Sequence, residues 1–425
     1  MEKLQSSSLT VSDNFCASIC TLFSFLSPAQ KKLVENYKDI AAFSNAVSSG
    51  RLIESLVQQS IGFTKSPQHL DFSEYLKNFA QNAVSTEDID QWRYVVDGPS
   101  HSGKSTILSL IAKEAIQGLA SCGQLSNVFI FSINWESATQ RLTDVFSLYD
   151  YIAAQTIFHL TWQYPRIFTI AQSLFNWLLS IPTSAILPML PLNIQNLPMF
   201  PLTQIEVFGK RIFNALKNTD NPVNLVREIV ALPSSLAACF GYSKFLFIYD
   251  HLDLCNMDVR VSDTSNLPVC ILDAIIAMLS DNLFFFSTKA PQGITDCLKN
   301  IEVEIIQVEN SIPENIINDQ RMISCYKPNI KLNIEMCQGC PQFLHRYRSI
   351  IQHIQDIDQL VDDSQKKRGF TSIVTNTKMK LAKMETIELC TDFLNNGSDV
   401  ITENLIHQMQ TSNQFTIAIG KSKLY

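Results

Sequence analysis

The sequence lacks the long runs of lysine and arginine that mark nucleic-acid-binding proteins. The chain carries 33 Lys and Arg against 40 Asp and Glu, a net charge of −7. Its short basic run, Lys366-Lys-Arg368, is typical of a solvated loop. Because a nucleic-acid groove or motor needs a basic track, we do not expect DNA or RNA as a ligand.

The first residues also lack the basic and then apolar pattern of a secretory signal. We therefore expect a cytoplasmic protein whose eleven cysteines are reduced thiols, mostly small and buried. Cys337 and Cys340, with His345 nearby, form half of a zinc-like pattern. No second pair follows at a suitable spacing, so we do not predict a zinc site.

A third absence is charge between residues 167 and 205, where no Asp, Glu, Lys or Arg occurs. Such a stretch raises the question of a membrane span. Prolines interrupt every window of adequate length, namely Pro182, Pro188, Pro191, Pro198 and Pro201. We therefore expect a proline-broken apolar insertion buried against the core or against a protein partner. A re-entrant or membrane-surface contact is the alternative.

What the sequence does contain is a complete phosphate-loop motif, G-x-x-x-x-G-K-[ST]. An apolar stretch precedes it and a segment with helical spacing follows, which is the strand–loop–helix context the motif needs. Backbone N–H groups of such a loop, at a helix N-terminus, bind phosphate oxygens. The residues predicted to bind nucleotide are Gly98, Pro99, Ser100, His101, Ser102, Gly103, Lys104, Ser105 and Thr106.

Two residues of the loop have specific predicted roles. Lys104 is expected to reach the β- and γ-phosphates, and the Ser105 hydroxyl to ligate Mg²⁺. No N-K-x-D guanine-reading motif occurs, so we expect ATP and ADP rather than guanine nucleotides. The motif predicts binding and says little about what the binding is for.

Five apolar runs predict a parallel sheet: 93–97, 128–133, 245–249, 283–286 and 303–308. Helical segments separate them, as in a parallel sheet that is covered on both faces. Because the first run leads into the phosphate loop, all five can share one sheet. We expect an α/β fold with a doubly wound, five-stranded parallel sheet of the P-loop NTPase type.

Acidic and hydroxyl residues end two of these strands. Asp250 ends the third, where ligands bind in open α/β sheets, and is predicted to hold Mg²⁺. Asp253, in the turn that follows, is predicted to position the attacking water. Ser287 and Thr288 end the fourth strand and are predicted to sense the γ-phosphate. The alternatives are ordinary capping of a turn by the Asp and turn initiation by the hydroxyls.

The domain prediction places helical segments around this core. A helical N-terminal region covers residues 1–90, and the NTPase core covers 91–310 with the apolar insertion at about 150–235. A helical lid is predicted at 311–360. The C-terminal region, 361–425, is predicted to be helical or winged-helix-like.

These motifs resemble those of the STAND branch of AAA+-related P-loop ATPases, the group that includes NACHT and NB-ARC switches. Asp250-His-Leu-Asp253 resembles their D-x-h-D strand end. Ser287-Thr288-Lys289-Ala-Pro291 is similar to their hydroxyl-hydroxyl-Arg-Pro sensor, with Lys for Arg and one inserted residue. Gly339-Cys-Pro341 matches their G-x-P lid motif. The resemblance covers about residues 91–357.

The resemblance implies an ATPase that acts as a conformational switch, with nucleotide-dependent self-assembly. It implies that Pro341 packs near the adenine while the lid closes over the nucleotide. Arg346, on the lid helix, would contact the phosphates or is an ordinary surface arginine. The upstream adenine motif of NB-ARC members has no counterpart, and no leucine-rich, WD40 or tetratricopeptide repeat follows. The chain would therefore be a short or divergent member.

Two alternatives to a switch stay open at this point. Crinkler-type effectors pair a related ATPase with a nuclease, although the last hundred residues hold no convincing nuclease constellation. A nucleotide-stabilised scaffold with negligible turnover, binding a partner through the apolar insertion, is the second alternative.

Overall fold

The computed structural model describes residues 25–26, 30–31, 53–54, 57, 89–98, 103–164, 167, 170–218, 221–260, 268–279, 282–289 and 303–308. The chain divides into two compact units. The first comprises Met1–Lys65, Glu74–Asp97 and Lys104–Gln307, and it holds every helix and strand given below. The second comprises Ser66–Ser73, Gly98–Gly103 and Val308–Tyr425. Of the second unit, only Gly98, Gly103 and Val308 are described.

Several predictions concern residues outside this part of the chain. The lid at 311–360, the C-terminal region at 361–425 and most of residues 1–90 are among them. So are the individual residues Pro99, Ser100, His101, Ser102, Pro341 and Arg346, and the pair Cys337 and Cys340.

The described part is an α/β fold on a five-stranded, all-parallel sheet, which confirms the predicted fold class at that level. The strand order is β2-β3-β6-β1-β7. The strands are β1 (Arg93–Asp97), β2 (Val128–Asn134), β3 (Lys244–Asp250), β6 (Leu283–Thr288) and β7 (Glu304–Gln307). All five apolar runs of the sequence therefore form strands of one sheet. A separate antiparallel pair consists of β4 (Asp258–Val259) and β5 (Val269–Cys270).

Helices connect these strands. A short 3₁₀ helix, Ile89–Gln91, precedes β1, and α1 (Lys104–Ser121) follows the phosphate loop. Between β2 and β3 lie α2 (Trp135–Thr139), α3 (Val145–Gln163), α4 (Ala171–Thr183), α5 (Leu192–Gln195), α6 (Leu202–Lys217), α7 (Pro222–Val230) and α8 (Leu232–Cys239). The 3₁₀ turn Leu252–Cys255 follows β3, and α9 (Ile271–Leu279) precedes β6.

The central strands are buried on both faces, as their continuous apolar sequences predict. Phe131, Tyr249 and Phe286 belong to the main apolar cluster, which includes the buried residues of α3 and α4. Ile130 and Ile248 alternate with them, are also fully buried, and lie outside that cluster. Helix α1 packs against β1, β3 and β6. The edge strand β7 differs, because three of its four residues are exposed.

The insertion between β2 and β3 is helical and largely buried. Helix α3 has buried residues on every side, as expected of a helix that is apolar all round. Pro182 lies inside α4, in its last turn, and the helix continues to Thr183. Within the described residues, none of the helices has both the length and the apolar character needed to cross a membrane.

Two side chains of α3 close the free edge of β2. The Ile130 backbone N–H donates to Gln163 Oε1 at 2.8 Å, and Gln163 Nε2 donates back to the Ile130 carbonyl at 2.6 Å. Two residues on, the Ser132 N–H and hydroxyl both donate to His159 Nε2, at 3.2 and 2.9 Å. The helix thus satisfies backbone groups that a neighbouring strand would otherwise pair.

His159 is fully buried, and its contacts fix its protonation. Its Nδ1 donates to the Gln155 carbonyl at 2.8 Å, so Nε2 carries the lone pair that accepts from Ser132. Burial lowers the pKa of His159 to about 4. The imidazole is therefore neutral near pH 7 and acts as a structural acceptor.

Residues of the N-terminal region pack on the same unit. Arg141 Nη1 and Gln155 Nε2 donate to the Phe25 carbonyl, at 2.9 and 3.2 Å. Glu54 forms an ion pair with Lys113 of α1, with a 3.4 Å separation. Its neighbour Ile53 is buried. These contacts attach separate N-terminal segments to α3 and α1.

Candidate functional site

Polar residues gather where four parallel strands end. In the β2–β3 register Asn134 lies opposite Asp250, and in the β1–β6 register Asp97 lies opposite Thr288. Since β3 pairs with β6, the four residues all lie at the carboxyl end of the sheet. This is the end at which open α/β sheets bind ligands.

The segment that the sequence predicts to bind phosphate leads directly into α1. Gly103 has φ of 96°, a left-handed conformation, and a Cβ built there would meet no atom within 4 Å. Backbone conformation, rather than crowding, therefore favours glycine at this position. Lys104 and Ser105 are the first two residues of α1, where the unpaired N–H groups of a helix favour anions.

A hydrogen bond joins the phosphate-loop serine to the predicted metal ligand. The Ser105 hydroxyl donates to Asp250 Oδ1 at 3.1 Å, across 145 residues of sequence. The Ser287 hydroxyl donates to the same oxygen, and the His251 backbone N–H donates to Ser287 Oγ at 2.9 Å. Asn134 Nδ2 lies 3.4 Å from the other oxygen, Oδ2. Three strands and the start of α1 thus converge on one carboxyl group.

The Asp250 side chain is inaccessible to solvent. Burial raises the pKa of its carboxyl, whereas His251 and the hydrogen bonds from Ser287 and Ser105 act in the opposite direction. A buried carboxylate requires donors or a cation to replace water. Its surroundings supply the donors, and Ser105 presents a second oxygen beside it.

Lys104 is also buried, with 5% of its surface exposed. Burial lowers the pKa of its ammonium, and the nearby Lys289 lowers it further. Asp253, Asp97 and Asp250 oppose both effects. One further cation and three carboxylates therefore act on Lys104 at the carboxyl end of the sheet. Such mixed charge suits a ligand with phosphate groups and a bound cation.

The oxygen ligands fit magnesium better than zinc. No group of three or more His, Cys, Asp or Glu side chains that could hold a metal occurs among the residues described. Mg²⁺ does not need such a cage, because it usually binds through one or two carboxylates, substrate phosphates and several waters. Asp250 and Ser105 provide suitable oxygens, 3.1 Å apart.

No family model matches the chain, and no curated protein matches it.

Asp253 lies in the 3₁₀ turn that follows β3. His251 precedes this turn in a left-handed conformation, with φ of 56°. Two residues of the turn itself, Leu252 and Cys255, are buried. Asp253 Oδ1 accepts a 3.2 Å hydrogen bond from the Lys289 backbone N–H at the end of β6. The contact holds Asp253 beside Lys104 and the end of β6.

The remaining predicted residues fall into two positions. Ser287 and Thr288 are fully buried, and they lie within β6 rather than in the loop after it. Ser287 contacts Asp250, whereas Thr288 lies beside Asp97 in the sheet. Thr106 is half-buried on the first turn of α1.

Sequence reasoning missed the contributions of Asn134, Asp97, Lys289 and His251. Asn134 and Asp97 each end an apolar strand, the same signal that identified Asp250, and that signal could have identified them. Lys289 directly follows β6, but its proximity to Lys104 depends on the strand order. His251 Nε2 lies 3.7 Å from both Asp250 Oδ2 and Glu136 Oε2, and neither contact has a sequence signature.

Proposed function

We propose that the chain is a magnesium-dependent P-loop ATPase with a doubly wound sheet, acting as a conformational switch of the STAND or AAA+ type. The observation that carries the proposal is the hydrogen bond between Ser105 and Asp250. It joins the two motifs that a nucleotide–metal site requires. The charges around Lys104 and the helix N-terminus beside it give independent support.

In this proposal the phosphates bind at the N-terminus of α1 and at Lys104. Ser105 and Asp250 hold the metal, and Ser287 and Asn134 orient the Asp250 carboxylate. Asp253 positions the water for attack on the γ-phosphate. When bound, Mg²⁺ would offset the charge that develops on the phosphate oxygens.

The switch itself requires two conformations with different affinity for ATP and ADP. Hydrolysis changes the populations only by that difference in affinity. In the proposal, Pro341 and Arg346 belong to the lid that makes the difference. Measuring the molecular mass of the protein in solution with ATP and with ADP tests for nucleotide-dependent assembly. If the lid drives assembly, the two masses should differ.

The ATPase is tested by measuring ATP binding and steady-state phosphate release together, with and without Mg²⁺. Lys104→Ala should abolish binding, because it removes the buried ammonium expected to contact the phosphates. Asp253→Asn should retain binding and lose hydrolysis. The control Lys210→Ala, on the exposed side of α6, should change neither quantity. Equal ATP affinity in wild type and Lys104→Ala would overturn the proposal.

A second candidate is a nucleotide-stabilised scaffold with negligible turnover. The hydrogen bond that engages Asp253 Oδ1 with the Lys289 backbone favours it, since that oxygen has a structural partner already. Tight ATP binding with no phosphate release, unchanged in Asp253→Asn, would select the scaffold over the switch.

A further inference from the structure

The proline-rich loop, defined here as residues 184–201 between α4 and α6 and including the four-residue helix α5, exposes large apolar side chains. Ile186, Met189 and Leu192 expose 79%, 86% and 72% of their surface. Leu190 and Ile194, which alternate with them, are buried. Single exposed apolar residues are ordinary, but these three fall within seven consecutive residues, and we call them the apolar patch. Concentrated apolar exposure of this kind is found at interaction sites.

Hydrogen bonds hold this loop in one conformation. Trp177 Nε1 donates to the Pro188 carbonyl at 2.9 Å, directly before Met189. Gln195 Nε2 donates to the Leu190 carbonyl, and Asn193 Nδ2 donates to Ser173 Oγ at 2.7 Å. The exposed side chains therefore project from an ordered support, which reduces the entropy lost when a partner binds.

The charge of the chain indicates what kind of surface can approach this loop. The protein has a net charge of −7, so two copies repel each other over most approaches. Residues 167–205 carry no charge at all. A second copy can approach this stretch without placing like charges together. A lipid surface suits it less well, because membrane-surface segments combine apolar residues with Lys and Arg.

We propose that the proline-rich loop pairs with the same loop of a second copy of this chain. Two-fold pairing brings identical patches together, and an apolar, uncharged patch is complementary to itself. The flexible side chain of Met189 can adapt its shape to the facing surface. This pairing uses no residue of the candidate nucleotide site and goes beyond the proposed ATPase, so it is independent of ATP.

The size of the patch sets the strength of the contact. The three side chains offer on the order of 400 Å² per copy, about half of the ~800 Å² that each partner buries in a standard interface. An interface of this size lies at the small end of specific protein contacts, so the dimer is weak and concentration-dependent.

Sedimentation equilibrium of the full chain without nucleotide tests the pairing. The dimer fraction should rise with protein concentration between about 1 and 100 μM, where weak dimers form. The double variant Met189→Asp with Leu192→Asp should raise the Kd at least tenfold, because it places four carboxylates at the contact. Met189→Leu should retain the dimer. Val223→Asp, at a 47% exposed position outside the loop, is the matched control.

Several results would overturn the pairing. They are a wild type that stays monomeric at every concentration, a dimer that the double variant leaves intact, and an equal loss of dimer in Val223→Asp. A monomeric wild type that floats with phosphatidylcholine vesicles, through Met189 and Leu192, would assign the patch to lipid instead. Circular dichroism melts of each variant separate lost pairing from lost folding.

Discussion

A carboxyl group without access to water is stable only where other groups replace that water. At Asp250 the replacement comes from hydroxyl and amide donors on β6, α1 and β2. The same arrangement aims both oxygens before any ligand arrives. Positioning of this kind reduces the reorganisation needed when charge changes at a site.

Ser287→Ala tests the support of Asp250. The variant removes one donor to a buried carboxyl, so we expect a loss of about 1–3 kcal/mol in the free energy of unfolding, together with weaker Mg²⁺-dependent ATP binding. Urea unfolding and a Mg²⁺ titration measure the two effects. Ser109→Ala is the matched control, because the buried Ser109 hydroxyl of α1 has no hydrogen-bond partner among the described residues. Equal effects of the two substitutions would contradict the assigned role.

His159 predicts a pH dependence of stability. Its folded pKa is about 4, below the unfolded value of 6.5. The full contribution of the neutral ring is present above pH 6.5. It decreases as the pH falls from 6.5 to 4, because only the unfolded chain binds the proton in that range. The expected loss is about 3 kcal/mol.

Urea unfolding of wild type and His159→Gln between pH 8 and 4 measures this contribution. Other groups titrate in the same range, so the difference between the two curves isolates His159. The difference in the free energy of unfolding should shrink as the pH falls. Parallel curves would show that the ring does not carry the dependence.

At the scale of elements, α4 and α6 meet at a position where only glycine fits. A Cβ on Gly209 would lie 2.7 Å from Trp177 Cη2 and 2.8 Å from Cζ2. Trp177 cannot move away easily, because its side chain is buried, with 3% of its surface exposed, and its indole N–H donates a hydrogen bond to the Pro188 carbonyl. The indole therefore connects the packing of two helices to the conformation of the proline-rich loop.

Gly209→Ala should destabilise the protein by about 1–3 kcal/mol, the cost of overpacking a core. Thermal or urea unfolding measures it. In a Trp177→Phe background the atoms that clash are absent, so the same substitution should cost less. A double-mutant cycle gives this coupling directly. An unchanged cost in that background would show that the strain lies elsewhere.

The sequence allowed the five strands of the parallel sheet to be predicted within about two residues, because each is a short apolar run bounded by polar residues. It did not predict the two-residue strands β4 and β5. The helices of the insertion were harder. Helix α3 is buried on every side, so its apolar residues do not recur on one face. The sequence pattern therefore does not indicate where this helix begins and ends. The glycine contact at Trp177 had no signal, since its cause is the approach of a distant helix.

At the scale of the whole molecule, the predicted site depends on the strand order. The sequence identified Lys104, Ser105, Asp250 and Ser287 as polar residues beside apolar strands. It could not show that β6 lies between β1 and β3, which places the Ser287 hydroxyl against Asp250. Loop and strand motifs are local, whereas the neighbours of a strand are set by the packing of the entire sheet.

The separation of 145 positions between Ser105 and Asp250 also has a consequence for synthesis of the chain. A ribosome adding 5–20 residues per second makes the serine on the order of 10 s before the aspartate. During that interval the nascent chain contains the whole predicted phosphate loop but not the carboxylate that its serine contacts. For the proposed ATPase we therefore expect nucleotide capture to begin only after β3 has emerged and joined the sheet.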